Sequence, residues 1–482
     1  MNRNDAKAQR GRGINRSRWQ IMLMPAAVAW LMVVNAPQFV LAAEGAELRI
    51  ATFAADVTPP LGAPLCDALV KPAEKVDDPL SARGVVILGA GKPIVLCAVD
   101  WVGIGNAGNR AWREALADAA GTTADRVAVH TLHQHDAPGC DFASEALLAE
   151  HGLAGKQFDP ADARRKIKAT ADAVKASLGK ARRVTHVGFG KGRVEQVASN
   201  RRVLGPDGKV MHVRFSSCRN PEAIAAPEGV IDPDVRLVAF YDGEKPVAAI
   251  TYYATHPQSH YGNGAVSADF VGAARTIREK ALRESGFADV VCVHFNGAGG
   301  NVAAGKYNDG SPENRPKLAE RLAAGMRLAW DDAKRTPIAA SDVGWKTAAV
   351  VLPPNPALDE KKLLATLADR AATERDRIRA ARDLVFLRRG QSKDAVDIGC
   401  LRLGEARIVH MPGELFVEYQ LSAQAMRPDS FVAMAAYGDY GSGYIGTAIA
   451  YSQGGYETSY VSRVAPEVES VLTNAMQQLL KN

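Results

Sequence analysis

The sequence has no CxxC pair, no internal repeat and no low-complexity linker, and no stretch after residue 43 is apolar enough to cross a bilayer. Each absence removes a class. Without CxxC there is no redox or zinc-ribbon motif. The six cysteines (Cys66, Cys97, Cys140, Cys218, Cys292 and Cys400) lie far apart in sequence, several in apolar strand-like runs where a buried thiol is the default, and their pairing is open. Excess charge is also missing from the body of the chain. Of the net charge of +6, the first 43 residues supply five, through Arg3, Lys7, Arg10, Arg12, Arg16 and Arg18 against Asp5. The rest is close to neutral and offers no clustered basic face, so a nucleic-acid partner is not expected.

What is present is an ordinary globular composition, 47% hydrophobic and 23% charged over 482 residues, enough for a large core. The N-terminus reads as basic stretch, apolar run from Trp19 to Ala43 and small residues at Val40-Leu41-Ala42, the order of a secretory leader. Residues 1–43 are expected to be a signal peptide or an N-terminal anchor, Pro25 and Pro37 arguing against a smooth spanning helix. The protein is thus expected to be exported, to the periplasm, cell envelope or exterior, with any membrane association through the N-terminus only.

Short β-branched runs alternate with helical patterns, which indicates an α/β chain. Strands are expected at 84–88, 94–99, 127–131, 235–241, 247–253, 290–295, 401–410 and 431–436. Helices are expected at 109–119, after Asp159-Pro160 (an N-cap followed by proline in the first turn), after Asp269 and after Ser311-Pro312, where Leu318, Leu322 and Met326 make an apolar stripe. The Lys-, Arg- and Glu-rich segment 358–390 reads as a helical insertion, one long helix or a pair, with a solvated charged face.

Five strand ends run into polar turns. Val127 to Thr131 leads to His133 and His135, whose side chains share a face of an extended chain with room for one cation, or are two satisfied histidines of a polar turn. A second run ends in Ala254-Thr255-His256. A third ends in Asn296-Gly297-Ala298-Gly299-Gly300-Asn301, where glycines suit either backbone N–H groups facing an anion or a tight turn. The fourth is Pro412-Gly413-Glu414 at the start of an apolar helical stretch, where a carboxylate serves as a ligand or simply answers the helix dipole. The fifth is the Gly/Tyr tract Tyr437 to Ile445, continuing to Tyr456.

Taken in order, these tracts resemble the catalytic N-terminal domain of the neutral/alkaline non-lysosomal ceramidase superfamily, from about Ala51 to Arg463. Asp56-Val57-Thr58 is similar to the family's opening turn. The resemblance implies a large mixed-sheet α/β domain over 44–482, with no C-terminal immunoglobulin-like domain. It implies zinc held by His133, His256, Glu414 and Tyr444, with His135, Arg201 (of Asn200-Arg201) and Tyr456 as catalytic side chains. His133-Gln134-His135-Asp136-Ala137-Pro138 stands for the family's His-Thr-His-Ser-Gly-Pro, and Gly443-Tyr444-Ile445 supplies the tyrosine. One departure is chemical. Where the family carries Asn-x-Gly-Asp-x-Ser-Pro-Asn with a serine beside the metal, this chain has Asn301 for the aspartate and Ala303 for the serine. The expectation is therefore a zinc-dependent hydrolase of an amide or ester bond in a small-molecule or lipid-like substrate other than ceramide, using metal-bound water. The alternative is a catalytically inactive, metal-retaining binding protein of the cell envelope.

Overall fold

Strands Ser81–Gly89 and Gly91–Val99 are separated by a single residue between two glycines at positive φ, so the chain folds straight back on itself. The computed structural model describes residues 47–481, and the expected leader lies outside them. This hairpin is the middle of a five-stranded sheet that adds Arg49–Asp56 antiparallel on one side and Val127–Thr131 parallel on the other. A parallel neighbour needs a crossover, supplied by helix Asn106–Ala120. Helix Pro160–Leu178, capped by Asp159 as its sequence suggests, then covers the outer face.

The same unit recurs twice. Strands His186–Arg193, Asp234–Asp242 and Lys245–Tyr253 form an antiparallel meander, followed by helix Asp269–Glu284, parallel strand Val291–Asn296 and helix Asn314–Asp332. Strands Val343–Val350, Val396–Leu403 and Ala406–His410 repeat it, followed by helix Val417–Ala425, parallel strand Val432–Ala435 and helix Val468–Leu480. The architecture is therefore a threefold structural repeat, although the sequence shows no regular period. The run 401–410, expected as one strand, is a hairpin, because Gly404 takes φ 57 and turns the chain.

One face of each sheet packs into a shared interior. Ile50, Val85 and Leu96 of the first sheet join Val238, Phe240 and Phe295 of the second and Leu401, Ile408 and Ala435 of the third in a single buried cluster. The opposite faces are covered by helices: Trp112 and Val174 on the first sheet, Phe270, Leu322 and Met326 on the second, Leu472 and Met476 on the third. Among the described residues no helix is long and apolar enough to cross a membrane, and all six cysteines are buried and free.

Two sets of connections matter for function. The segments that follow the third and fourth strands of each unit leave from the C-terminal ends of the parallel pairs, where α/β sheets offer a crevice. The segments inserted between the first and second strands (57–80, 194–233 and 351–395) rise beside that crevice. The third insertion holds two helices, Glu360–Ala368 and Glu374–Gln391. Its charges are not all solvated: Arg377 and Asp383 are buried, and Arg382 is ion-paired to Asp67 at 2.9 Å.

Candidate metal centre

His133, His256 and Glu414 come from the three different repeats and meet in one buried cluster whose ligand atoms lie within 4.8 Å of one another. Each is fixed by its backbone. After Thr131 the chain is held by Leu132 N–H donating to the Val99 carbonyl and His133 N–H to that of Trp101. His133 itself takes φ 63, a left-handed conformation uncommon for a branchless but bulky side chain. Gln258 and Gln134 pin the strained turn, donating to the carbonyls of His133 and Asp100.

The glycine tract explains the position of His256. A methyl group on Gly299 would lie 2.7 Å from the Thr255 carbonyl carbon, and one on Gly300 would run into the Glu414 carbonyl. These glycines let the loop pack against the backbones that carry His256 and Glu414; their need is close approach, with Gly300 N–H donating to Leu415. The Gly299 carbonyl accepts from His256 Nδ1 at 2.6 Å.

Glu414 is not at a helix start. It lies in the two-residue strand Glu414–Leu415, and the helix begins at Val417. That strand pairs in parallel with Tyr444–Ile445, placing Glu414 directly opposite Tyr444. The pairing, enabled by Gly413 at φ 59 and Gly443 at φ 64, sets two oxygen donors side by side.

The donor atoms face one another at short range. His133 Nδ1 donates to the Val102 carbonyl at 2.6 Å, which leaves its Nε2 as a lone pair 3.1 Å from Glu414 Oε2. His256 Nε2 lies 3.0 Å from the same carboxylate oxygen and 3.0 Å from Tyr444 Oη. Burial holds the His256 imidazole below its usual pKa, despite the opposing pull of Glu414, so the neutral ring is favoured. The two Nε2 atoms and the carboxylate sit this close only with positive charge between them, supplied by a proton on an imidazole or by a metal ion. Burial alone would raise the Glu414 pKa, but positive charge and hydrogen bonds from His133 and His256 hold it well below the usual range, so the carboxylate is charged. Two imidazoles, a carboxylate and a phenol oxygen form an N/O set of the kind that suits a metal ion such as zinc.

The surrounding groups aim this set. Tyr440 Oη donates to Glu414 Oε1 at 2.9 Å. Tyr437, at φ 60, stacks on the His133 ring with centroids 4.9 Å apart. Arg201 donates to Tyr444 Oη at 2.9 Å and is ion-paired to Glu457 at 3.2 Å. Its own burial opposes the charge, yet Tyr444 and Glu457 keep the guanidinium firmly protonated. His135 stands beside the cluster, its ring 5.3 Å from that of His133 and 4.6 Å from that of Tyr261. Burial, reinforced by His133 and His256, keeps His135 neutral. The Tyr456 ring lies 5.7 Å from that of Tyr444, and burial pushes its phenol up to about 12. His133, His135, Glu414, Tyr444 and Tyr456 all line one pocket of about 110 Å³. His256 and Arg201 sit behind Tyr444. Ala303 is fully buried in a short ladder with Ser199.

Tyr437, Tyr440, Gln258 and Arg382 were not singled out by sequence as site residues. The density of tyrosine and glycine from 437 to 445 was the only available signal, and it did not distinguish which ring would meet Glu414.

No protein-family model matches the chain, and no curated protein matches it by sequence. Solved structures do. A ceramidase in complex with C2 superposes with a TM-score of 0.65 at 17% identity, over 90% of this chain and 75% of that one. The neutral ceramidase of Pseudomonas aeruginosa superposes with a TM-score of 0.64 at 18% identity, over 91% and 74%. The fold is that of a neutral ceramidase. The likeness spans all three repeats, so the ceramidase fold is the frame in which the His133–His256–Glu414 cluster sits.

Proposed function

We propose that the protein is a zinc-dependent hydrolase of an amide or ester bond in a molecule other than ceramide. The observation that carries this reading is the convergence of two imidazole Nε2 atoms, a charged carboxylate and a phenol oxygen at the end of an open pocket. Zinc held by His133, His256, Glu414 and Tyr444 would act as a Lewis acid on the scissile carbonyl and acidify a water.

The chain's own groups then have defined work. Arg201 donates to Tyr444 Oη, which favours the phenolate as a ligand. His135, neutral through burial, is ready to take a proton from the attacking water and return it to the leaving group. Tyr456 keeps its proton well above neutral pH and can donate to the developing oxyanion. Cys66, the thiol lining the pocket, is no rival nucleophile, because burial raises its pKa far out of the physiological range.

Two observations turn the reading away from ceramide. The position at which the resemblance expects a serine is Ala303, whose methyl group cannot attack. The pocket volume of about 110 Å³ is also below the several hundred Å³ usual for drug-sized ligands, and it suits a small acyl group better than a long-chain lipid. The basic-then-apolar order of residues 1–43 supports export of this activity.

The test is turnover of a panel of short p-nitrophenyl esters and acyl anilides by the full chain, before and after chelation. Hydrolysis that chelation abolishes and zinc restores is expected, together with loss of activity in His135→Ala. Stoichiometric zinc with no turnover across the panel would instead identify a binding protein.

A further inference from the structure

The third insertion places a line of arginines at the pocket. In helix Glu374–Gln391, Arg375, Ile378, Arg379 and Arg382 follow i, i+3, i+4, i+7 spacing and so share a face. All four line the pocket that holds His133, Glu414 and Tyr444. We infer that this face is a subsite for an anionic group of the substrate, so that the bond cleaved belongs to a small carboxylate-bearing acyl compound. The inference rests on the hydrolase reading above and names its substrate class.

The three arginines differ in how far they are neutralised. Arg382 is the anchor: it is ion-paired to Asp67 at 2.9 Å and lies 5.4 Å over the Tyr440 ring. Asp67 in turn is held by Gln157, and three consecutive residues, Cys66, Asp67 and Ala68, take left-handed backbone conformations there. That strained wall keeps Arg382 in place. Arg379 has only Asp376, on its own helix, at 4.0 Å, and Asp376 already accepts from Thr373 at 2.6 Å. Its guanidinium is instead oriented by the Tyr460 ring, 4.4 Å away. Arg375 is exposed and has no ion pair among the described residues.

Other charges in the pocket do not cancel these two. Asp67 serves Arg382, Glu414 faces the two histidines, and Arg463 is held by Asp383 at 2.6 Å. The pocket therefore presents two guanidinium groups with little compensation, Arg375 without an ion pair among the described residues and Arg379 with only the 4.0 Å contact to Asp376, the latter pre-oriented by an aromatic face. Planar forks of this kind match a carboxylate and are poorly matched to a neutral lipid. Ile378 between them offers apolar contact to a short methylene spacer.

The experiment compares two esters of similar length, p-nitrophenyl butyrate and mono-p-nitrophenyl glutarate, with the zinc-loaded full chain at low ionic strength. The expected kcat/KM ratio of glutarate to butyrate ester is about tenfold or more, falling toward one in about 0.5 M salt as the charges are screened. In Arg375→Ala/Arg379→Ala the ratio also falls toward one, and Arg375→Lys/Arg379→Lys restores part of it. A ratio near one in the native chain, or an unchanged ratio in the alanine variant, overturns the inference. If chelation-sensitive turnover of both esters is absent, the hydrolase reading fails for esters, and the subsite is read separately by calorimetric titration with glutarate. Binding that weakens about tenfold in the alanine variant supports the subsite. No binding of glutarate to the native chain overturns it.

Discussion

Tyr440 shows how a residue outside the His133–His256–Glu414 cluster can aim one of its members. Its hydroxyl donates to Glu414 Oε1 and leaves Oε2 for the two histidines. Groups of this kind orient a ligand, and their removal commonly weakens metal binding by about 10- to 100-fold. Tyr440→Phe is expected to lower zinc affinity by about that factor, measured by competition with a chromogenic chelator, with little change in unfolding midpoint for the chelated protein. Unchanged affinity would show that packing alone aims Glu414. At this scale the sequence was informative in a particular way. His133, His256, Glu414 and Tyr444 lie on separate tracts, and composition and periodicity alone left each with a plain structural reading. Only their order, through a family resemblance, joined them. Tyr440 and Gln258 had no such support, because which of several tyrosines meets a carboxylate depends on a left-handed turn at Tyr437 that sequence pattern does not reveal.

Among the elements, the crossover helix Asp269–Glu284 is fastened to the first sheet by Arg275, which makes 2.9 and 2.7 Å contacts to Asp100. Both side chains are buried, and Ser81 also donates to Asp100. The carboxylate ends the strand Gly91–Val99, one turn from the segment that carries Val102, the acceptor for His133. Removing one partner leaves a buried charge unpaired, which typically costs about 3–5 kcal/mol. Asp100→Ala is expected to lose that much stability in urea titrations and to loosen the His133 turn; a loss below about 1 kcal/mol would show the pair to be dispensable. Strand existence was legible here because Ile94 to Val99 is continuously apolar. The tie itself was not, since Asp100 and Arg275 are 175 residues apart. The repeat left only a trace: Gly91-Lys92-Pro93-Ile94-Val95, Gly243-Glu244-Lys245-Pro246-Val247 and Gly404-Glu405-Ala406-Arg407-Ile408 occupy the same hairpin turn in the three units. Three short likenesses of this kind lack the regular period that marks a repeat protein. The arginine face of 375–382 was hidden for another reason: a helix rich in charge reads as solvated until its neighbours are known.

For the whole molecule, the shared interior makes stability depend on pH through buried histidines. Burial lowers His130 to about 4 and His294 to about 3, and it holds His410 well below its usual value. The unfolded chain takes up these protons near pH 6.5, whereas the folded chain refuses them until the pH is far lower. Between those values the unfolded state binds more protons, so stability is lost as the pH falls below about 6.5. By pH 5 each such histidine costs about 2 kcal/mol. Asp136 and Asp141, both raised by burial to about 6, act in the opposite sense by roughly 1.4 kcal/mol each at pH 5, and do not offset three histidines. The urea midpoint of chelated protein is expected to fall between pH 7 and pH 5; a constant or rising midpoint would mean that these rings are hydrated.

A cation is expected where the three repeats meet. An anomalous difference map recorded on either side of the zinc edge, from crystals of the full chain, addresses this directly. The prediction is one peak about 2.0–2.1 Å from both His133 Nε2 and His256 Nε2, with Glu414 and Tyr444 oxygens at about 2.0–2.2 Å. A map with no peak there, or with zinc bound only at other residues, would contradict it.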